Sequence, residues 1–246
     1  MKKYFSIVLL VGLFTCSCAT QKSWVKSLVY SSNKYNYAPV LQNKSAVILP
    51  FKDRREKINT SMMQWFWPFL IPIYPGYSLI EYTVHEVEMS HMGSLWPAFT
   101  PSKDYPKALA QELTSAGIFN WVHYNFRKGG SDFVIEGEIL STKYTGTMRS
   151  YGLSGAGVFL WFIGFPCGVV TNELEIKLSC VENNSKNVIF SKTYTAPKYK
   201  KTAWIYLVSN DLNDFNYSSM LKGLYKDFIE DIRRIYLSTN TQSTNN

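Results

Sequence analysis

The stretch HEVEMSH sets His85 and His91 on one side of an extended chain, with Val87 and Met89 between them. Two imidazoles could share a metal ion. A zinc-peptidase helix, however, needs its second histidine where Met89 stands. Two surface histidines are the expected reading, and His123 stands alone as a structural residue. Glu136 and Glu138 alternate around Gly137 on one strand face. Paired carboxylates for acid–base work have that pattern, and so does a solvated outer face. YGLSGAG contains G-x-S-G rather than the nucleophile-elbow G-x-S-x-G, and it lacks the lysine of a phosphate loop. The patterns therefore predict no catalytic set, no metal centre and no cofactor.

Cys167 and Cys180 leave two readings open. In an oxidising compartment they could pair, at about 3 kcal/mol of stabilisation. Cys180 also falls in the same alternating row as Leu178, which suits a buried free thiol. SKTYTAPKYKK interleaves Lys192, Lys198, Lys200 and Lys201 with Tyr194 and Tyr199. That composition suits phosphorylated lipid heads, an anionic polymer or an acidic protein. An ordinary solvated strand end has the same look.

The first residues decide the setting. MKKYFSIVLLVGLFTCSCAT opens with Lys2 and Lys3, followed by an apolar run over 7–14. The run is too short to span a bilayer and reads as a secretory signal. Its end resembles the lipobox of bacterial lipoproteins, where a peptidase cuts just before a lipid-modified cysteine. Cys18, preceded by the small Ser17, is the expected attachment site, with Cys16 as the alternative. In that family Ala19 after the cysteine, rather than Asp, implies sorting to the outer membrane. The net charge of +8 falls to +6 without Lys2 and Lys3. An exported chain has little access to nucleic acid, so the positive balance is expected to meet anionic envelope surfaces.

The expected organisation is a signal at 1–17, a lipidated tether at 18–45, one domain at 46–237 and a polar, disordered tail at 238–246. A flexible linker over 19–45 would have an end-to-end distance of about 30 Å and a full reach of about 90 Å. SAVILPF is a short strand covered on both faces. DYPKALAQELTSAG is a helix, with Asp104 or Ser102 at its start and Gly117 at its end. IFNWVHYNF and DFVIEGEILSTKY are strands. NELEIKLSCV turns Leu174, Ile176, Leu178 and Cys180 to one side and forms a hairpin with NVIFSKTYT. A last helix from about Phe215 to Tyr236 carries Leu221, Leu224, Phe228, Ile232 and Ile235 on one stripe. The class is α+β: a mixed sheet with two main helices on one face and two apolar, aromatic-rich inserts.

LPFKDRR, ALAQELTSAGIFNWV, SDFVIEGEIL, the hairpin and the closing helix together resemble a recurring envelope module. It occurs in the curli-secretion lipoprotein, the penicillin-binding-protein activator lipoprotein and the amino-terminal domain of TolB. The resemblance spans about 46–236 and departs at both inserts and in lacking a second helix before Asp132. It implies a non-enzymatic part that builds or regulates envelope machines.

The inserts, 58–80 and 150–172, are each 23 residues without a charge. Pro68, Pro72 and Pro75 in the first, and five glycines with Pro166 in the second, argue against spanning helices. Neither alternates with period two, which argues against membrane hairpins. Two readings remain: buried loops packed side by side, or an aromatic face made by Trp65, Trp67, Tyr74, Trp161 and Phe162 that touches lipid or a partner. The expected function is a membrane-anchored envelope lipoprotein, non-enzymatic, that binds a partner or assembles a complex. Alternatives are a subunit of an oligomeric outer-membrane export pore or secretion collar, and an envelope hydrolase.

Overall fold

The computed structural model describes residues 28, 30–37, 40–63, 77–83, 100–204 and 217–243. Cys16, Cys18, Trp65, Trp67, Tyr74, His85 and His91 lie outside the described residues. The strands are β1 (Leu41–Ile48), β2 (Lys52–Asp53), β3 (Asn59–Met63), β4 (Tyr77–Thr83), β5 (Phe119–Tyr124), β6 (Phe133–Ser141), β7 (Lys143–Arg149), β8 (Gly168–Asn172), β9 (Glu175–Glu182), β10 (Val188–Thr195) and β11 (Tyr199–Ala203). The helices are α1 (Pro101–Ala116), α2 (Val158–Phe162) and α3 (Tyr217–Ser243).

One sheet has the order β10-β9-β6-β1-β5, with β2 also on β6. β1 runs parallel to β5 and β6, whereas β9 is antiparallel to β6 and β10, so the sheet is mixed. Ala46 and Ile48 of β1 face the helices, and Val47 is equally buried. The run is apolar throughout because both of its faces are covered. Leu174, Ile176, Leu178 and Cys180 all point into the core, as their alternation predicts. α1 and α3 pack over this face through Leu109, Leu113, Leu221, Leu224, Phe228 and Ile232.

The Leu-Pro-Phe corner has a specific use. Pro106 has no N–H for the carbonyl of Ser102 one turn back. That carbonyl instead accepts the N–H of Phe51, at 2.9 Å. The Phe51 ring lies so close to Gly137 of β6 that a Cβ there would fall 2.4 Å from it. α1 starts at Pro101, three residues before Asp104, with Thr100 as its N-cap. The Asp104 carboxylate still serves the start by accepting the Thr100 N–H at 2.8 Å.

The second sheet was not expected. Its order is β11-β8-β7-β4-β3, all antiparallel. The ends of both inserts build it: β3 and β4 from the first, β8 from the second. β7 lies between them, so the inserts flank a shared strand rather than touching directly as strands. The residues of β7 are half-buried or exposed, so no strong in–out contrast marks the strand in the sequence. β6 runs into β7 and β8 into β9, which makes one long ribbon belonging to both sheets. Thr142 and Leu174 are fully buried at the bend. There the Arg55 guanidinium donates to Thr142 Oγ1 at 2.7 Å, and Tyr217 OH donates to the Thr142 carbonyl at 3.2 Å. Asp53 holds Arg55 from its other side.

Both chain ends differ from the sequence reading. The closing helix continues to Ser243, past the start expected for a polar tail. Residues 30–37, expected within a free tether, are strapped over α1 and α3. The Glu112 carboxylate of α1, fully buried, accepts Tyr30 OH at 3.0 Å, Tyr35 OH at 2.6 Å and the Asn33 backbone N–H at 3.1 Å. It also accepts the Asn33 side-chain amide. These donors replace the water that a buried carboxylate would otherwise lose. Burial, and then Glu112, push the Tyr30 hydroxyl upward. Burial with the Glu112 hydrogen bond does the same to Tyr35. Along α3, Lys222 Nζ donates to Ser31 Oγ and the Arg233 guanidinium sits over the Tyr37 ring.

Candidate functional site

The second sheet carries its apolar sequence at one end. β7 finishes at Arg149 and β8 begins at Gly168, with the Arg149 N–H bonded to the Cys167 carbonyl at 2.9 Å. Residues 150–167 form the tip between them. The same end receives the neighbouring strands. Tyr77, where β4 begins, pairs with Arg149, and Met63, where β3 stops, pairs with Ser78. Ala203, where β11 stops, pairs with Gly168. The chain therefore leaves for residues 64–76 and for residues 204–216 from the end that bears the tip. Those two stretches begin QWFWPFL and WIYLV.

Local interactions brace the tip. A 3-10 turn, Ser154–Gly157, leads into α2. A Cβ on Gly157 would fall 1.9 Å from the Ser150 carbonyl, so only glycine permits this approach. The Trp161 indole turns inward and donates to the Arg149 carbonyl at 2.9 Å. Tyr151 adopts the left-handed region at φ 57, a conformation costing about 1–2 kcal/mol for a residue with a side chain. Its hydroxyl donates to the Pro166 carbonyl and its ring packs edge-on against Phe165, which holds it there.

With Trp161 turned inward, other side chains face out. Phe159 and Ile163 are each 71% exposed and Phe162 55%, joined by Leu153 and Phe165. Of the aromatic residues singled out in the sequence, Phe162 is on the exposed face. Trp161 is not; it is the bolt that holds the face in place. Phe159 and Ile163 were missed because a five-residue helix gives too short a period to separate outward from inward positions. From Ile139 to Asn172 there is no acidic residue, and Lys143 and Arg149 are the only charges.

The remaining candidates are scattered. Cys167 and Cys180 are both buried and free, so the bridge weighed from sequence is not made. Cys180 belongs to the first sheet, whereas Cys167 borders β8 of the second. Burial pushes the Cys180 thiol up to about 12 and raises that of Cys167. The four lysines form no single patch. Lys192 pairs with Asp231 at 2.6 Å and Lys198 with Glu173 at 2.7 Å. Lys200 and Lys201 are successive residues of β11 and so point to opposite faces. Glu136 pairs with Lys128 at 3.0 Å, and Glu138 lies opposite Lys177 across the ladder, as on a solvated face. Trp121, 57% exposed, stacks on His123 along β5 at the edge of the first sheet, a feature no sequence pattern marked. Among the described residues there is no cluster of three or more metal-ligating side chains. Nor, among them, is any helix long and apolar enough to cross a membrane.

No protein-family model matches the chain, and no curated protein matches it. Among solved structures it is similar to a DUF330 protein from Xanthomonas campestris. The identity is 9%, the match covers 88% of this chain and 98% of the other, and the TM-score is 0.46. It is also similar to a homolog of a neuraminyllactose-binding hemagglutinin from Helicobacter pylori, at 10% identity, 87% and 100% coverage and a TM-score of 0.40. A lipoprotein from Neisseria meningitidis is similar at 9% identity, 78% and 99% coverage and a TM-score of 0.35.

Proposed function

We propose that this chain is a non-enzymatic envelope lipoprotein, anchored through Cys18 in the outer membrane with its domain in the periplasm. It binds an envelope partner or assembles a complex there. One observation carries the binding role: a braced tip that holds Phe159, Phe162 and Ile163 out into solvent. A folded monomer gains nothing from a rigid scaffold that keeps large apolar side chains wet, and patches of this kind mark contact sites. The lipobox-like end of the signal, with Cys18 after Ser17, supports the anchor, and Ala19 supports the outer membrane.

The test is the mass and membrane association of the mature chain. Cys18→Ser should abolish acylation and release most of the protein from membranes, and Cys16→Ser should leave both intact. Acylation that survives Cys18→Ser and disappears in Cys16→Ser would move the anchor. Acylation surviving both would remove it. A second reading, a subunit of an oligomeric assembly, is favoured by Trp121 on the edge strand β5, where another copy could pair. Gel filtration in mild detergent separates a ring of copies from a single chain.

A further inference from the structure

We infer that the apolar tip is a second membrane attachment, seated in the interface of the same leaflet that holds the Cys18 acyl chains. This rests on the lipoprotein reading above and names the occupant of its contact face: a lipid surface carrying anionic headgroups.

The first argument is the length and direction of the leash. The strap passes along α3 from Lys222 and Tyr225 at Ser31 and Tyr30 to Arg233 at Tyr37. Its early end therefore lies towards Tyr217, the end of α3 that bonds Thr142. Thr142 is also where the ribbon bends into the second sheet. The described strap thus begins on the half of α3 nearer the second sheet. Ten residue steps separate Cys18 from Leu28, a reach of about 33–36 Å at full extension. The ribbon from Lys143 to Arg149 extends about 20 Å beyond the root. A lipid held by this leash can lie in the plane that the tip reaches. The leash bounds the distance between lipid and domain, because Glu112 clamps the strap, and the plane of the tip falls within that bound.

The second argument is charge. From β7 through the tip to the end of β8 the chain carries Lys143 and Arg149 and no acidic residue, and Lys200 and Lys201 lie on adjoining β11. Lys143 pairs with Glu81 at the root, which leaves Arg149 nearest the apolar cap. Apolar and aromatic side chains above a cation form the arrangement that sits at a bilayer interface, with the cation at headgroup depth. A second copy of the same face would bring like charges together, whereas anionic lipid attracts them. Acyl chains alone hold the protein but leave its orientation free; the tip fixes which end of the domain points at the membrane.

The test uses the acylated full chain in vesicles of phosphatidylethanolamine and phosphatidylglycerol. An environment-sensitive dye is attached at Phe162→Cys and, in a second variant, at Phe159→Cys; both positions are exposed, and Cys167 and Cys180 are buried against labelling. The expected result is a blue-shifted emission, quenched about twofold or more by lipids spin-labelled near the headgroup end of their chains. A dye at Val188→Cys, exposed on β10, should stay water-like and unquenched. If the chain is on the vesicles and the tip dye stays water-like, the inference is overturned and the lipoprotein reading stands. If the dye is shielded but lipid quenchers have no effect, a second copy or another protein occupies the tip, which also overturns it. If the chain never acquires acyl groups, the lipoprotein reading itself fails, independently of where the dye sits.

Discussion

At the scale of single residues, hydrogen bonds from distant segments decide which polar groups hold the fold. Asp132 is one case. The Ser45 backbone N–H reaches its carboxylate at 2.8 Å, with Ser45 Oγ at 2.9 Å and Lys44 Nζ at 3.1 Å. That N–H, and then Lys44, hold the carboxyl below its ordinary value. A carboxyl lowered in the folded state contributes stability above the unfolded value of about 4, and that stability is lost as pH falls through the folded value. Asp132→Asn should therefore lower stability at neutral pH, with the difference from wild type shrinking towards pH ~2. Urea unfolding at several pH values measures this, and a difference that does not change with pH would contradict it. The sequence shows Asp132 only as the first residue of the strand DFVIEGEILSTKY, because its partners lie 87 and 88 positions away. Glu112 and Arg55 were hidden in the same way. Each is a charge in a polar-looking stretch whose burial depends on remote chain. Leu174, Ile176, Leu178 and Cys180 were legible because alternation is a local property.

At the scale of elements, the strap is the clearest departure from the sequence reading. Ser, Asn, Tyr and Lys over 30–37 look like a solvated linker, yet the tyrosines pack on the core and the polar atoms find Glu112. Composition alone cannot separate a linker from a segment docked by its own hydrogen bonds. Glu112→Ala should remove the shared acceptor and leave part-buried donors unmet, costing about 2 kcal/mol in all. Amide exchange over 30–37, led by Asn33, should then rise sharply while the strands of the first sheet stay protected. Unchanged protection would show that the strap is held by its tyrosine rings and not by the carboxylate. Release would also lengthen the leash from ten steps to 23, measured to Leu41. A tethered contact weakens roughly as the −3/2 power of tether length, so the tip's effective concentration at the membrane should fall about threefold. The second sheet was illegible for a related reason. Its strands are short and only partly buried, and their partners are separated by inserts that draw the eye to hydrophobicity instead of pairing.

At the scale of the whole molecule, one ribbon joins a conventional α+β body to a sheet whose far end presents apolar residues. The body was readable from periodicity. The inserts were readable as unusual, and their charge-free length left open both buried loops and a contact face. What the sequence could not supply was the division of labour within the second insert, where Trp161 anchors and Phe159, Phe162 and Ile163 project. The central claim is that this projecting tip, together with the Cys18 lipid, holds the domain at the membrane. The most direct test is flotation with anionic vesicles of the Cys18→Ser chain, with and without the triple change Phe159→Ser, Phe162→Ser and Ile163→Ser. These side chains are exposed, so melting should shift little, within the roughly 0.5 kcal/mol usual for surface changes. The account predicts weak, salt-sensitive flotation of the non-acylated chain that falls by about tenfold in the triple variant. Equal flotation of the two folded proteins, or none by either, would contradict it.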